Sequence, residues 1–118
     1  MNIEIPGVDV QRGLELYDGD EEIYLTVLQS YADNTPAALD KLRNLSAETL
    51  PDYVAAIHGI KGTSATIGAE ELRKTAAQLE AMAAAGDLTG LLAQNEAFLK
   101  RADNLIDAIQ KWLKQNNT

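Results

Sequence analysis

LTGLLAQNEAFLKRADNLIDAIQKWLKQ, residues 88–115, carries the longest apolar pattern of the chain: Leu91, Leu92, Phe98, Leu99, Ala102, Leu105, Ile106, Ile109, Trp112 and Leu113. These residues recur mostly at steps of three and four, the spacing that collects side chains on one face of a helix turning 100° per residue. No proline interrupts the run. At 1.5 Å per residue, a helix of this length spans about 40 Å. Gly90, near its start, weakens the first turn.

Three further helical patterns precede it. Asp20-Glu21-Glu22 supplies a capping residue and first-turn acids for a helix carrying Tyr24, Leu25, Val27, Leu28 and Tyr31 and resuming at Leu39 and Leu42. Pro36 falls inside that run, which predicts a kink or break near Asn34-Thr35. The tyrosines read as core and boundary residues. After a connector at 44–48, Thr49-Leu50-Pro51-Asp52 reads as a helix start with Thr49 as cap, and Gly68 is the natural stop. Glu70-Glu71 then opens a helix with Leu72, Ala76, Leu79, Met82 and Ala83 on one face, closed by Gly86-Asp87. The alanine-rich run at 81–85 reads as a site of close helix packing. At the N-terminus, Asp9 is placed to cap a short helix over 10–17, ended by the Asp18-Gly19 turn. Short connectors favour antiparallel neighbours. The expected architecture is all-α: an up-and-down antiparallel four-helix bundle with a short additional N-terminal helix, in a single domain over residues 1–118.

Composition narrows the function classes. The chain has 118 residues, a formal net charge of -8 and no cysteine. A thiolate metal site or disulfide framework is excluded, one histidine cannot anchor an ordinary zinc centre, and no metal site is expected. No basic stripe exists to neutralise phosphates, which argues against nucleic acid. The start lacks the features of a signal peptide and no stretch approaches the length of a membrane span, so a soluble, cytoplasmic monomer is expected.

The least ordinary helix composition surrounds the single histidine, in Ile57-His58-Gly59-Ile60-Lys61-Gly62-Thr63-Ser64-Ala65-Thr66-Ile67-Gly68-Ala69. On a helical wheel Tyr53, Ile57, Ile60, Ser64 and Ile67 fall on one side, and His58 faces away from them, among Val54, Ala55, Lys61, Gly62 and Ala65. Each glycine inside a helix costs about 0.8–1 kcal/mol relative to alanine, so propensity alone does not select Gly59 and Gly62. Two readings account for them. Either they let a neighbouring helix pack closely, or they leave room above the ring for another protein's active site, with Lys61 reaching the same space. Between Asp52 and Glu70 no carboxylate occurs and Lys61 is the only formal charge, which implies a neutral or positive local field.

Imidazole, with a free pKa of about 6.5, has a nucleophilic neutral fraction at pH 7. No GxSxG, HExxH, glycine-rich phosphate loop or kinase motif accompanies it, so a complete hydrolase site or self-phosphorylation from ATP is not expected. Covalent loading of the ring with a phosphoryl group needs less: exposure, a nearby cation and a docking surface for the donor. One more residue follows from geometry. If the turn between the third and fourth helices centres on Ala69, antiparallel pairing sets His58 level with Glu80, a candidate acceptor for the ring's Nδ1, although the wheel turns His58 away from the inner face.

The run His58-x-x-Lys61-Gly62-Thr63-Ser64-x-x-Ile67-Gly68, followed by Leu72, resembles the signature of the histidine-containing phosphotransfer (HPt) domains of two-component phosphorelays. The Gly7-Val8-Asp9 opening, the helix from Tyr24 to Tyr31 and the Leu79-Glu80 pair are also similar. Gly59 departs from the usual pattern, where a larger residue such as threonine is commoner. The resemblance implies that His58 is phosphorylated by a receiver-domain aspartate or a sensor or hybrid kinase and passes the group to a response-regulator receiver. It further implies that Lys61 steadies the phosphate, that Gly62 keeps the approach open, and that magnesium belongs to the receiver, leaving this chain without a cofactor. Val54, Ala55, Gly59, Lys61, Gly62 and Ala65 would form the docking surface. Alternatives are a helical adaptor that is never phosphorylated, or the same bundle as part of a larger kinase.

Overall fold

The computed structural model describes residues 2–116. The expected domain over 1–118 therefore extends past the described residues at both ends. Five helices follow in order: α1 (Val10–Glu15), α2 (Glu21–Asp40), α3 (Leu50–Ile67), α4 (Glu70–Ala84) and α5 (Leu88–Asn116). The helices α2, α3, α4 and α5 pack as a ring in which each touches its two neighbours, and α1 lies against α2 and α3. Side-chain pairs run in opposite directions along adjacent helices. Tyr24 reaches Ile67 and Tyr31 reaches Ser64, so α3 descends as α2 rises. This is the up-and-down bundle with a short extra N-terminal helix that the periodicity predicts.

The longest dimension, 46 Å, is set by α5, whose 29 residues at 1.5 Å rise span about 43 Å. Leu91, Phe98, Leu99, Ala102, Leu105, Ile106 and Ile109 of its stripe are buried, while Leu92 is exposed. Each fully buried side chain of this size contributes roughly 1.5–3 kcal/mol relative to exposure. Gly90 does not fray the start. Its N–H donates to Oδ1 of Asp87 at 2.9 Å, and a methyl there would meet Cε of Met82 at 2.5 Å.

Three local expectations need correction. Of the kink or break expected near Asn34-Thr35, the break does not occur: α2 runs through Pro36, which faces solvent, while Ala32, Thr35 and Leu39 are buried on the inner side and hold the segment to the bundle. Thr49 occupies the N-cap position of α3 but does not cap it. Its hydroxyl instead closes the connector, donating to the carbonyls of Asn44 and Ser46 and accepting from the Ser46 N–H at 2.9 Å. In the alanine run at 81–85 only Ala83 is buried, so the run is mostly a solvent face. Asp9 and Asp20 cap α1 and α2 as expected, each accepting an N–H at 3.1 Å.

The C-terminus of α3 is fastened most thoroughly, and α3 carries His58. A helix end leaves four carbonyls without intrahelical donors. Here Ser64 O accepts from the Ala69 N–H and Ala65 O from the Gly68 N–H, with Gly68 left-handed at φ 82°. Thr66 O accepts from the Tyr17 hydroxyl at 2.8 Å and Ile67 O from the Tyr24 hydroxyl at 2.7 Å. Burial pushes the Tyr24 phenol well up, so it remains a donor. Tyr24, which reads in the sequence as a core or boundary residue, and Tyr17 thus hold the end of the histidine helix. On the inner face of α3, Tyr31 pairs with the buried Ser64 at 3.0 Å, and Tyr53 donates to Asn95 of α5 at 2.8 Å.

Candidate functional site

His58 lies mid-way along α3, opposite the face buried by Tyr53, Ile57, Ile60, Ser64 and Ile67. Its side chain is 69 % exposed. Because the inner face is fixed by apolar burial and the tyrosine bonds, the imidazole stands on a rigid helix rather than a mobile loop.

The two-residue connector Gly68-Ala69 sets α4 antiparallel beside α3 and brings Glu80 level with His58. Oε2 of Glu80 is 2.6 Å from Nδ1 of His58, and Oε1 is 2.6 Å from Nζ of Lys61. The hydrogen bond from Lys61, and after it that from His58, holds the Glu80 carboxyl below the usual carboxylate range despite partial burial. An ionised carboxylate only accepts, so Nδ1 carries the hydrogen in this contact. In the neutral ring the lone pair is then on Nε2, the nitrogen turned away from Glu80.

Glu80 also narrows the expected local field, from neutral or positive to neutral. The carboxylate-free window is a property of the sequence, not of the surface, since the fold inserts a carboxylate from α4 and Lys61 is already paired. With a neutral ring, the cluster of His58, Lys61 and Glu80 carries no net formal charge.

The remaining expected residues divide around His58. Ala55 and Gly59 border a groove of about 380 Å³ between α2 and α3, which also takes in Tyr31, Asn34 and Thr35 from α2. The contribution of α2 had no signal in the histidine motif. Gly62 is exposed on the crest, and Val54 and Ala65 are half-buried. A methyl added at Gly59 or Gly62 would meet nothing within 4 Å. Close packing of a neighbouring helix is therefore not what these glycines serve. Among the described residues, no three histidine, cysteine, aspartate or glutamate side chains gather to hold a metal ion, and no helix is long and apolar enough to cross a membrane.

A four-helix bundle that presents one exposed, carboxylate-oriented imidazole, with a lysine one turn on and bare helix beside it, defines a class of protein suited to carrying a group on histidine. The family model described as the Hpt domain matches residues 26–112, and the chain belongs to that family. Neither a curated protein nor a solved structure matches the chain. Hpt domains serve histidine phosphotransfer in phosphorelays, as phosphocarriers rather than kinases, and interact there with kinases and receiver domains.

Proposed function

We propose that His58 accepts a phosphoryl group from a receiver-domain aspartyl phosphate, or from a sensor or hybrid histidine kinase, and passes it to the aspartate of a response-regulator receiver. The observation that carries this reading is the Glu80 contact at Nδ1 of a ring that is otherwise open to a partner. In the transfer, the Nε2 lone pair forms a bond to phosphorus, the bond from phosphorus to the aspartyl oxygen breaks, and its electron pair leaves with the carboxylate. Nδ1 keeps its hydrogen against Glu80, so the positive charge developing on the ring faces a carboxylate and no proton has to move. Lys61 supplies donors for the phosphoryl oxygens. Gly62 leaves the approach open, and Val54, Ala55, Gly59 and Ala65 form the small-residue surface on which the receiver docks. Magnesium is the receiver's contribution, and the carrier needs no cofactor of its own.

Mixing the protein with a phosphorylated receiver and magnesium should give an acid-labile, base-stable phosphate on His58. The His58→Gln variant should remain unlabelled, and equal labelling of the two proteins overturns the reading.

A further inference from the structure

Each oxygen of Glu80 has its own partner: Oε2 takes the Nδ1–H of His58 and Oε1 takes the ammonium of Lys61, both at 2.6 Å. Fixing the ring's tautomer requires one acceptor oxygen and no charge, so an amide would serve. The charge and the second oxygen act on Lys61. Stability does not account for that pair, since ion pairs at a partly exposed surface are worth about 0–1 kcal/mol, and the two side chains are 20 % and 32 % exposed.

Resting on the reading of His58 as phosphoryl acceptor, we infer that Glu80 sets how firmly the phosphoryl group is held on His58, by detaining Lys61. Glu80 is a positioning residue here, because it acts through the lysine and touches neither phosphorus nor the leaving group. A phosphoryl group brings close to two negative charges to Nε2. Lys61 must then serve two anions, and every donor kept by Glu80 is withheld from phosphate. The direct effects of the carboxylate oppose each other, since it attracts the charged ring and repels the phosphoryl oxygens. Lys41, the residue that ends α2, borders the groove on the other side of α3, and α5 meets α3 on its buried face, through Asn95 and Tyr53. Lys61 therefore decides the balance. The consequence is a phosphohistidine loose enough to be handed on.

The substitution Glu80→Gln separates the two jobs. Its amide oxygen can still accept from Nδ1–H, but an NH2 replaces Oε1 and turns the lysine's acceptor into a donor. Lys61 is released while the ring stays oriented. The measurement is the equilibrium distribution of phosphoryl between a purified receiver and the full chain. Glu80→Gln should shift it toward His58 by about tenfold, the worth of one charge-assisted hydrogen bond gained. In a Lys61→Met background the same substitution should shift it less than twofold, because no ammonium remains to detain. If the parent chain takes no phosphoryl, the proposed function itself fails. If the parent loads and Glu80→Gln leaves the equilibrium in place or moves it toward the receiver, this inference is overturned and the phosphocarrier stands. An undiminished shift in the Lys61→Met background likewise overturns the route through Lys61.

Discussion

Replacing Gly59 and Gly62 by alanine should make the protein more stable, although both glycines lie on the proposed docking surface. Both lie inside α3, and a methyl at either position meets no atom within 4 Å. The change therefore carries the helix-propensity gain with no packing penalty, about 0.8–1 kcal/mol at each site. The double variant should gain about 1.6–2 kcal/mol, since the two methyls touch no common partner. With a urea dependence of about 1–3 kcal/mol per molar for a small domain, the unfolding midpoint should rise by roughly 1 M. Equilibrium denaturation followed by far-ultraviolet circular dichroism reads this directly. A midpoint that stays or falls would show that the fold itself needs the glycines and would refute the reasoning. The companion variant Gly62→Leu places bulk beside the ring on an equally good helix former. It should be more stable than the parent yet load phosphoryl from a receiver at least tenfold more slowly, a barrier of about 1.4 kcal/mol. Loading at the parent rate would mean that the space at Gly62 is not there for access.

Two further outcomes test the scaffold and its charges. Asn95 accepts from the Tyr53 hydroxyl and donates to Leu42 O, each at 2.8 Å, and burial pushes the Tyr53 phenol up to about 12. Asn95→Ala should thus leave two buried polar groups unpaired and cost about 2–4 kcal/mol, while Tyr53→Phe, which strands only one amide oxygen, should cost less; equal losses in urea titrations would contradict the bridge. Glu80 ionises more readily folded than unfolded, so its contribution is present above the ordinary carboxylate value of 4.5 and is lost as pH falls through its lower folded value. The stability of Glu80→Gln should accordingly fall less steeply than the parent's below about pH 4.5, as read by thermal unfolding across acid pH, and parallel curves would show that Glu80 gains nothing from its two partners.

Much of this molecule is written locally. The spacing of Leu91, Phe98, Leu99, Ala102, Leu105, Ile106 and Ile109, the caps at Asp9 and Asp20, and the glycine stop at Gly68 act within one or two helical turns, so they can be read without knowing what they pack against. The short connectors then leave few topologies besides an antiparallel ring of helices. The same locality explains the misreadings. Pro36 carries a breaking signal that is overridden by the burial of Thr35 and Leu39 around it, and the Thr49 hydroxyl had nearer partners in the connector than the helix it precedes.

At the histidine, the sequence by itself determined the exposed ring, the lysine one turn beyond it and the bare helix between them, because helical geometry alone places residues three and four apart on a common face. Counting back and forward from Ala69 also set Glu80 level with His58; the tertiary structure decided what its carboxylate touches. The 20 % exposed carboxylate of Glu80 comes from α4, and only the close antiparallel packing of α3 and α4 brings it onto both Nδ1 of His58 and Nζ of Lys61. The hydroxyls of Tyr17 and Tyr24 find the last carbonyls of α3 across more than forty residues of chain. Such contacts join groups remote in sequence, and their distances depend on how two helices are set against each other, which no periodicity along one chain segment encodes.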